Sequence, residues 1–318
     1  MSDKLVVRID STVLNTMDSC PEKWRLQFYE NWTPQKRAMA LERGILMHQM
    51  LEHYHRERMG SPKKPARNKP ADMPSLVEEC LMIGRIFASN TANIDADEFQ
   101  DDMRVFKDYF QRWQYDGWII HKVEQPFSKL LYDGPKLRIH YEGIIDLEVT
   151  DPKLGRIIVD NKTESRKSEP FILSNQFEGY QWAMGLPLIV NKIGYQQNAK
   201  MEEEWDGMRQ KKVDTRFRRL LMQSTPEALK EWREDTIRLI IESIGWIKDI
   251  DAGKRLRKNR TSCDKYAGCM YQQICKESNN EVKEHKLTVN FFKDEPWDVF
   301  RRDGVKEKQL INDETATV

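Results

Sequence analysis

The stretch HYEGIIDLEVTDPKLGRIIVDNKT, residues 140–163, decides the fold of this chain. It consists of two apolar runs joined by DPKLG, and Asp, Pro and Gly within so short a connection are typical of a tight turn. The stretch therefore predicts an antiparallel hairpin, with one strand from Lys136 to Val149 and the next from Arg156 to Lys162.

This hairpin brings charged side chains together. Side chains alternate across a strand, so Asp160 and Lys162 lie on one face, and strand pairing places Asp146 close to Asp160. Mg²⁺ prefers oxygen ligands, and a lysine beside a metal can orient water or stabilise charge that develops on phosphorus. Taken alone, the D-x-K triplet is more simply explained as an exposed ion pair of little energetic consequence.

The composition is that of a globular protein with balanced charge. The 318 residues include 52 Lys and Arg against 51 Asp and Glu, so net charge gives no sign of a nucleic-acid partner and any basic surface is local. With 39% apolar residues, the chain can fill a sizeable core. No long apolar run and no signal-peptide pattern is present, so we expect a cytoplasmic protein.

Helical periodicity dominates before the hairpin, and strands alternate with helices after it. We predict helices from Pro21, over Arg37–Arg58, 75–90, 96–116, Glu169–Met184 and from Thr225 to Asp251, strands over Trp118–Phe127, Leu188–Gln197 and 217–224, and a loop over 60–74. The fold class predicted from this pattern is α/β, with a mixed central sheet flanked by helices.

Four motifs in this chain resemble those of the PD-(D/E)XK nuclease superfamily, in its RecB-like branch. The run GIID followed by IIVDNKT is similar to motifs II and III of that superfamily. The branch also carries Q-x-x-x-Y on a later helix, here Gln176 to Tyr180, and RG-x-x-x-H on an earlier helix, here Arg43 to His48. The resemblance implies a restriction-endonuclease-like core with a helical insertion.

It also implies a metal-dependent DNA nuclease, most simply a single-strand exonuclease. The implied ligands of Mg²⁺ or Mn²⁺ are His48, Asp146, Asp160 and the backbone carbonyl of Asn161. The implied catalytic set is Asp146, Asp160, Lys162, Gln176 and Tyr180, in which Lys162 acts on the water and the last two position the strand. Glu124 matches an acidic position that the family often shows before the hairpin.

Simpler interpretations of these residues remain. His48 falls on the predicted inner face of its helix, with Leu41 and Leu51, where a core histidine is an ordinary finding. Gln176 and Tyr180 are one helical turn apart, as a polar surface residue and a half-buried tyrosine would be.

The cysteines form a second constellation. Cys263, Cys269 and Cys275 recur every six residues, and such dense thiolates in a cytosolic protein usually bind a metal that needs a fourth ligand, for which Cys20 is the candidate. CRISPR-associated exonucleases of the RecB-like branch have this layout around a [4Fe–4S] cluster, although their late cysteines are often closer together. Zn²⁺ and unliganded thiols are the alternatives at this site. We predict that Cys80, the fifth cysteine, is a small buried hydrophobic residue.

A basic run precedes the late cysteines. Its cations are expected to contact DNA phosphates: Lys254, Arg255, Arg257, Lys258 and Arg260. We divide the chain into one nuclease domain, 1–285, and a tail, 286–318. The domain has a helical part at 21–116, a sheet core at 118–222, and a long helix with the cysteines at 225–278.

Two other functions fit the same sequence. One is a non-catalytic DNA-binding or scaffold subunit, against which the presence of Asp146, Asp160 and Lys162 together argues. The other is an RNA-directed nuclease. Recombination, repair, phage DNA processing and CRISPR adaptation are all compatible processes, with a helicase, recombination or CRISPR protein as a further partner.

Overall fold

The computed structural model describes eleven segments of the chain. They are residues 4–36, 38–60, 66–67, 72–91, 96–164, 174–195, 202–205, 210–213, 216–264, 268–301 and 311–312. The helices are α1 Ser11–Ser19, α2 Pro21–Trp24, α3 Met39–Met59, α4 Met73–Asn90, α5 Ala96–Trp113, α6 Asn175–Met184, α7 Pro226–Asp251, α8 Gln272–Lys276 and α9 Asn280–Asn290. The strands are β1 Leu5–Ile9, β2 Trp32–Pro34, β3 Ile119–Asp133, β4 Leu137–Asp151, β5 Gly155–Glu164, β6 Leu188–Gly194, β7 Glu202–Trp205, β8 Gln210–Val213, β9 Phe217–Met222, β10 Phe291–Lys293 and β11 Ile311–Asn312.

A mixed sheet forms the centre of the molecule, as predicted. Its strand order is β11-β3-β4-β5-β6-β9, and β1 pairs with β4. The predicted hairpin is confirmed, because β4 and β5 pair antiparallel from Asp151↔Gly155 to Leu147↔Val159. β5 and β6 are parallel, so the chain must cross over between them, and α6 lies in that connection.

The pairing of β4 with β5 ends where the acidic residues begin. Beyond Leu147↔Val159, the edge of β4 is taken over by β1, which pairs in parallel from Leu137 to Tyr141. We call the opening between β4 and β5 at Asp146 and Asp160 the fork. At the fork, therefore, the pairing of β5 with β4 has ended and the pairing of β1 with the same edge of β4 has not yet begun.

Helices cover both faces of the sheet. One face packs against α1, α6 and α7, with Val190, Phe177 and Trp232 in a common buried cluster. The other packs against α3, α4 and α5, with Ile193 and Phe106 buried together. Val190 and Ile193 differ in parity along β6, which is why they point to opposite faces. Among the described residues, no helix is both long and apolar enough to cross a membrane.

The ends of several elements differ from the sequence prediction. Leu5–Ile9, for which the sequence analysis predicts no element, is a strand that pairs with β4. A π-helix, Arg25–Tyr29, continues α2. α9 runs across the boundary proposed at residue 285, and β10 then pairs antiparallel with β2. The predicted start of the Glu169–Met184 helix and most of the 60–74 loop lie outside the described residues.

Candidate metal centre

Two buried carboxylates converge at the fork. Asp146 and Asp160 are only 8% and 1% exposed. The backbone N–H of Asn161 donates to Asp146 Oδ2 over 2.6 Å, so this carboxylate takes the place of a strand partner. Lys162 Nζ lies 2.8 Å from Asp160 Oδ2, and Gln176 Nε2 donates to Asp160 Oδ1 over 3.0 Å. Four of the residues predicted from sequence therefore meet here.

The electrostatics of the fork favour a bound cation. Burial raises the pKa of the Asp160 carboxyl above its ordinary value; the Lys162 ammonium opposes this rise, and the negative charge of Asp146 adds to it. Two acids this close and this buried repel each other unless positive charge lies between or beside them. A divalent cation supplies that charge, and carboxylate oxygens are ligands that it prefers.

α3 places His48 against the same point. His48 Nε2 is 2.9 Å from the carbonyl oxygen of Asn161, which can only accept, so Nε2 donates in this contact. Nδ1, on the other side of the ring, lies 3.6 Å from Asp146 Oδ2. An imidazole nitrogen and a carboxylate oxygen at this distance are arranged to be ligands of one metal ion.

Glu124 completes a group of three. The ligand atoms of His48, Glu124 and Asp146 all lie within 4.8 Å of one another, and no other such group of His, Cys, Asp or Glu occurs among the described residues. Glu124 lies between the pairs Val123↔Leu147 and Gln125↔Ile145, and so opposite Asp146. Its backbone has φ 48°, a left-handed conformation that costs energy for a residue with a side chain.

The observed group differs in membership from the ligand set implied by the resemblance. Glu124 belongs to it, whereas Asp160 pairs with Lys162 and Gln176 beside it. The carbonyl of Asn161 accepts from His48. Alternation along β3 does not reveal Glu124, because a positive φ redirects the side chain in a way that sequence periodicity cannot express.

Arg43 and Gly44 hold α3 in place. Arg43 donates through Nε and Nη2 to Asp102 over 2.9 and 2.7 Å, and its guanidinium stacks 4.1 Å from the ring centre of Tyr195. Asp102 on α5 is fully buried, and burial raises its pKa to about 6. A Cβ on Gly44 would lie 3.4 Å from Thr163 Oγ1, so α3 passes close to β5. Sequence reasoning missed Asp102 and Tyr195, since neither belongs to a recognisable motif.

α6 contributes the Q-x-x-x-Y pair from the opposite face. Gln176 bridges Asp160 and the Tyr180 hydroxyl, which is 3.3 Å from Gln176 Nε2. Tyr180 is buried and donates to the Ile144 carbonyl over 2.9 Å. A Cβ on Gly143 would lie 2.8 Å from Phe127 and 2.9 Å from Tyr180, so the glycine of GIID makes room for this ring. The tyrosine positions β4 and Gln176 from within the core.

The four cysteines of interest lie in one region of the molecule. The Asn259 N–H donates to Cys20 Sγ over 3.3 Å, and Asn259 Nδ2 donates to the Ser19 carbonyl over 2.8 Å. Burial raises the pKa of the Cys263 thiol, and the nearby thiols of Cys269 and Cys20 raise it further. Burial likewise raises the pKa of Cys275 to about 11, with Cys269 and Cys20 contributing.

Cys80 stands apart from these four. It is fully buried in the cluster of α3, α4 and α5, where burial raises its pKa to about 12. Its predicted role as a small buried hydrophobe is confirmed.

The basic run ties the cysteine region together. Lys258 Nζ donates to the Cys275 carbonyl over 2.7 Å, and Arg255 donates to Asn280 over 3.1 Å. The carbonyl of Arg257 accepts from the Glu22 N–H over 3.4 Å, and Lys254 pairs with Asp249. Arg260 begins a 3₁₀ turn that ends at Ser262. The described contacts of this run are therefore with the end of α1, with α2 and α7, and with the α8–α9 segment.

Comparison with known proteins gives one family. The family model of the PD-(D/E)XK nuclease superfamily matches residues 11–276. A search of curated proteins finds no match. Among solved structures, the crystal structure of SSO0001 aligns with 14% identity over 63% of this chain and 84% of that chain, with a TM-score of 0.27, which carries no argument about function.

Proposed function

Because the chain belongs to the PD-(D/E)XK nuclease superfamily, we propose that it is a divalent-metal-dependent nuclease that hydrolyses phosphodiester bonds of DNA at the fork. The observation that carries this proposal is the convergence of His48, Glu124 and Asp146 within 4.8 Å beside the buried Asp160–Lys162 pair. An ion pair with a purely structural role does not require the three potential metal ligands of His48, Glu124 and Asp146 beside it.

The donor set fits Mg²⁺ or Mn²⁺. His48, Glu124 and Asp146 would hold the ion, with Asp160 as an additional ligand, and the imidazole favours Mn²⁺ somewhat. A bound divalent ion supplies positive charge for the phosphate that is attacked.

The chain's own groups do the rest of the chemistry. Lys162 Nζ is held by Asp160 at 2.8 Å, and its side chain is still 38% exposed, so it can orient the attacking water or stabilise the developing charge. Gln176 fixes the other oxygen of Asp160 over 3.0 Å. The substitutions that test these roles are described below and in the Discussion.

We propose that the preferred substrate is single-stranded DNA and that the enzyme cuts it from an end. The RecB-like motifs support this assignment, and the basic run 254–260 offers cations for backbone phosphates. An enzyme of this kind depends on a reaction that separates duplex DNA, so a helicase is the class of partner we expect. None of the five described cysteines is in a disulfide.

A [4Fe–4S] cluster held by Cys20, Cys263, Cys269 and Cys275 is part of this proposal. The thiols influence one another electrostatically, which supports a shared site. The layout of one early and three late cysteines, which resembles that of the RecB-like branch, supports the iron–sulfur cluster, and Zn²⁺ is the alternative.

Metal dependence and substrate class are tested in one assay. End-labelled DNA and RNA strands of matched sequence are incubated with the protein in chelator, Mg²⁺ or Mn²⁺. We expect cleavage of DNA with either metal and none in chelator. Cleavage that continues in chelator, or cleavage of RNA alone, contradicts the proposal.

The acidic residues are tested by isosteric amides. Asp146→Asn and Asp160→Asn should each slow cleavage at least about 10³-fold, because each removes charge that the metal needs. Their melting temperatures should hold or rise, since the two carboxylates repel each other without metal. The exposed Asp133→Asn, whose carboxylate pairs with Lys4 and Arg138, is the control and should cleave normally. A wild-type rate in either test variant would falsify the site.

A further inference from the structure

A groove of about 320 Å³ lies in the cysteine region, away from the residues of the fork. Its walls come from α2 and the π-helix on one side and from α8, α9 and β10 on the other. The family match ends at residue 276, whereas α9 and β10 occupy 280–293. Part of the lining of the groove therefore lies beyond the residues that the family model matches.

The lining combines buried apolar residues with one aromatic side chain. Leu26, Ile274 and Leu287 are buried beneath it. Trp32 is half-buried in the lining, and Lys293 Nζ lies 5.2 Å from the centre of its ring. The pairing of β10 with β2 fixes this arrangement, because Lys293 is the register partner of Trp32.

The lining of the groove carries four cations against three acids. Arg25 contacts both Glu22 and Glu30, and its charge balances one of these two acids. In the described part of the chain, no carboxylate oxygen lies within 4.0 Å of Lys258, Lys283 or Lys293. Glu284 is the one further acid in the lining.

The lysines also repel one another. The pKa of Lys283 is lowered by burial and then by the positive charges of Arg255 and Lys258, which outweigh the opposing effect of Glu22. Like charges held this close are relieved by an anion. Lys258 is itself fixed by its bond to the Cys275 carbonyl, so its ammonium is not free to move away.

We propose that this groove is a second nucleic-acid site, which binds a segment of single-stranded DNA at a distance from the fork. Lys258, Lys283 and Lys293 would contact backbone phosphates, and a base would pack against Trp32. A positively charged groove with an aromatic platform is how proteins hold single strands without reading sequence. The identity of the strand as DNA rests on the function proposed above.

The test measures binding, not cleavage. In chelator, fluorescence anisotropy follows a long oligothymidylate, a short one and thymidine monophosphate, each over a range of salt. The variant is Lys283→Gln/Lys293→Gln. The control is Lys230→Gln/Lys248→Gln, which removes the same charge from exposed positions on α7.

We expect the groove variant to bind the long strand about tenfold more weakly at low salt. Its salt slope should fall by about 1.4, since each single-strand phosphate contact contributes about 0.7. The control should match the wild type. An unchanged affinity and slope in the groove variant would overturn the proposal, and an equal loss for the monophosphate would make the groove a free-nucleotide pocket instead.

The assay separates this proposal from the nuclease assignment. If the wild type cuts no substrate but the groove variant still loses strand binding, the function fails and the groove stands. If the wild type cuts DNA but the groove variant binds the strand as tightly as the wild type, the nuclease function stands and the groove proposal fails. A strand carrying 5-bromouracil, crosslinked to the wild-type protein, gives an independent result that needs no variant to fold. We expect the crosslinked peptide to contain Trp32, and its absence among the products contradicts the proposal.

Discussion

The fork and the cysteine region are built in opposite ways. Apart from His48, the side chains of the fork come from residues 124–180, and strand register puts them together. The cysteine region joins Cys20 to Asn259, 239 positions further along the chain. A local site can be inferred from alternation within a hairpin, whereas a site made of chain ends depends on the whole fold to close a very long loop.

This difference predicts that substitutions in the two regions have different consequences. Removing a side chain at the fork should impair chemistry and leave the fold intact, because β4 and β5 remain paired beyond it. Removing a ligand from the cysteine region should impair the fold first, because that region connects the first helices to the last ones. Each prediction below tests one side of this contrast.

The largest effect is expected for Cys20. If a cluster joins the chain ends, Cys20→Ala removes a ligand and the binding free energy that contributes to folding. We expect poorly soluble, colourless protein without bound iron, and the same result for Cys269→Ala. Iron content, visible absorbance and the melting temperature are the measurements.

Cys80 provides the matched control for that experiment. It is a buried cysteine too, but it lies in the helical core and contacts none of the other four. Cys80→Ala should keep its colour and lose only about 1 kcal/mol of stability. A colourless Cys80→Ala protein, or a brown Cys20→Ala protein, would break the contrast between the two regions.

The next largest effect concerns Lys162. Lys162→Ala should lower kcat about 10²–10³-fold, because one preorganised charge next to the reacting phosphate is lost. Binding of DNA should change little. The measurement is kcat and KM determined separately, with Lys192→Ala as a control for loss of a lysine at the same level of the neighbouring strand. An effect on KM alone would make Lys162 a binding residue.

Sequence accounts for the fork better than for its surroundings. Alternation and the DPKLG turn predict the meeting of Asp146, Asp160 and Lys162, and the resemblance adds Gln176 and His48. The inner-face prediction for α3 is wrong at Leu41, which is 55% exposed. Helical periodicity alone cannot say where a packed face ends, because that depends on which neighbours the helix has.

Tertiary pairing explains what the sequence does not predict. β1 and β10 are strands only because β4 and β2 offer unpaired edges, and neither has a strong pattern of its own. Asp102 has no motif, yet its burial against Arg43 fixes the helix that carries His48. No local pattern predicts the proximity of Cys20 to the late cysteines; that expectation rests on the need for a fourth metal ligand and on the family resemblance.

A smaller effect is expected for Gly143, and it tests how closely the fork is packed. A Cβ at this position would press on the rings of Phe127 and Tyr180, both buried. Gly143→Ala should cost about 1–3 kcal/mol of stability and should also slow cleavage, since Tyr180 supports Gln176. Gly155→Ala is not a neutral comparison because of its positive φ, so Gly245→Ala, which has open space around it, serves as the control. Chemical denaturation compares the two, and equal stability would mean that the rings move aside freely.

The smallest effect concerns Glu124, whose backbone has φ 48°. Glycine adopts such a conformation without the steric cost that a side chain brings. Glu124→Gly and Glu124→Ala both remove the carboxylate, so both should weaken binding of Mn²⁺ to the same extent. The glycine variant should nevertheless be more stable than the alanine variant by about 1 kcal/mol, because it alone relieves the backbone. Calorimetry for metal binding and denaturation for stability give the two values. If Glu124→Ala binds Mn²⁺ as tightly as the wild type, Glu124 is not a ligand. If Glu124→Gly and Glu124→Ala are equally stable, the strand leaves the left-handed conformation once the carboxylate is gone.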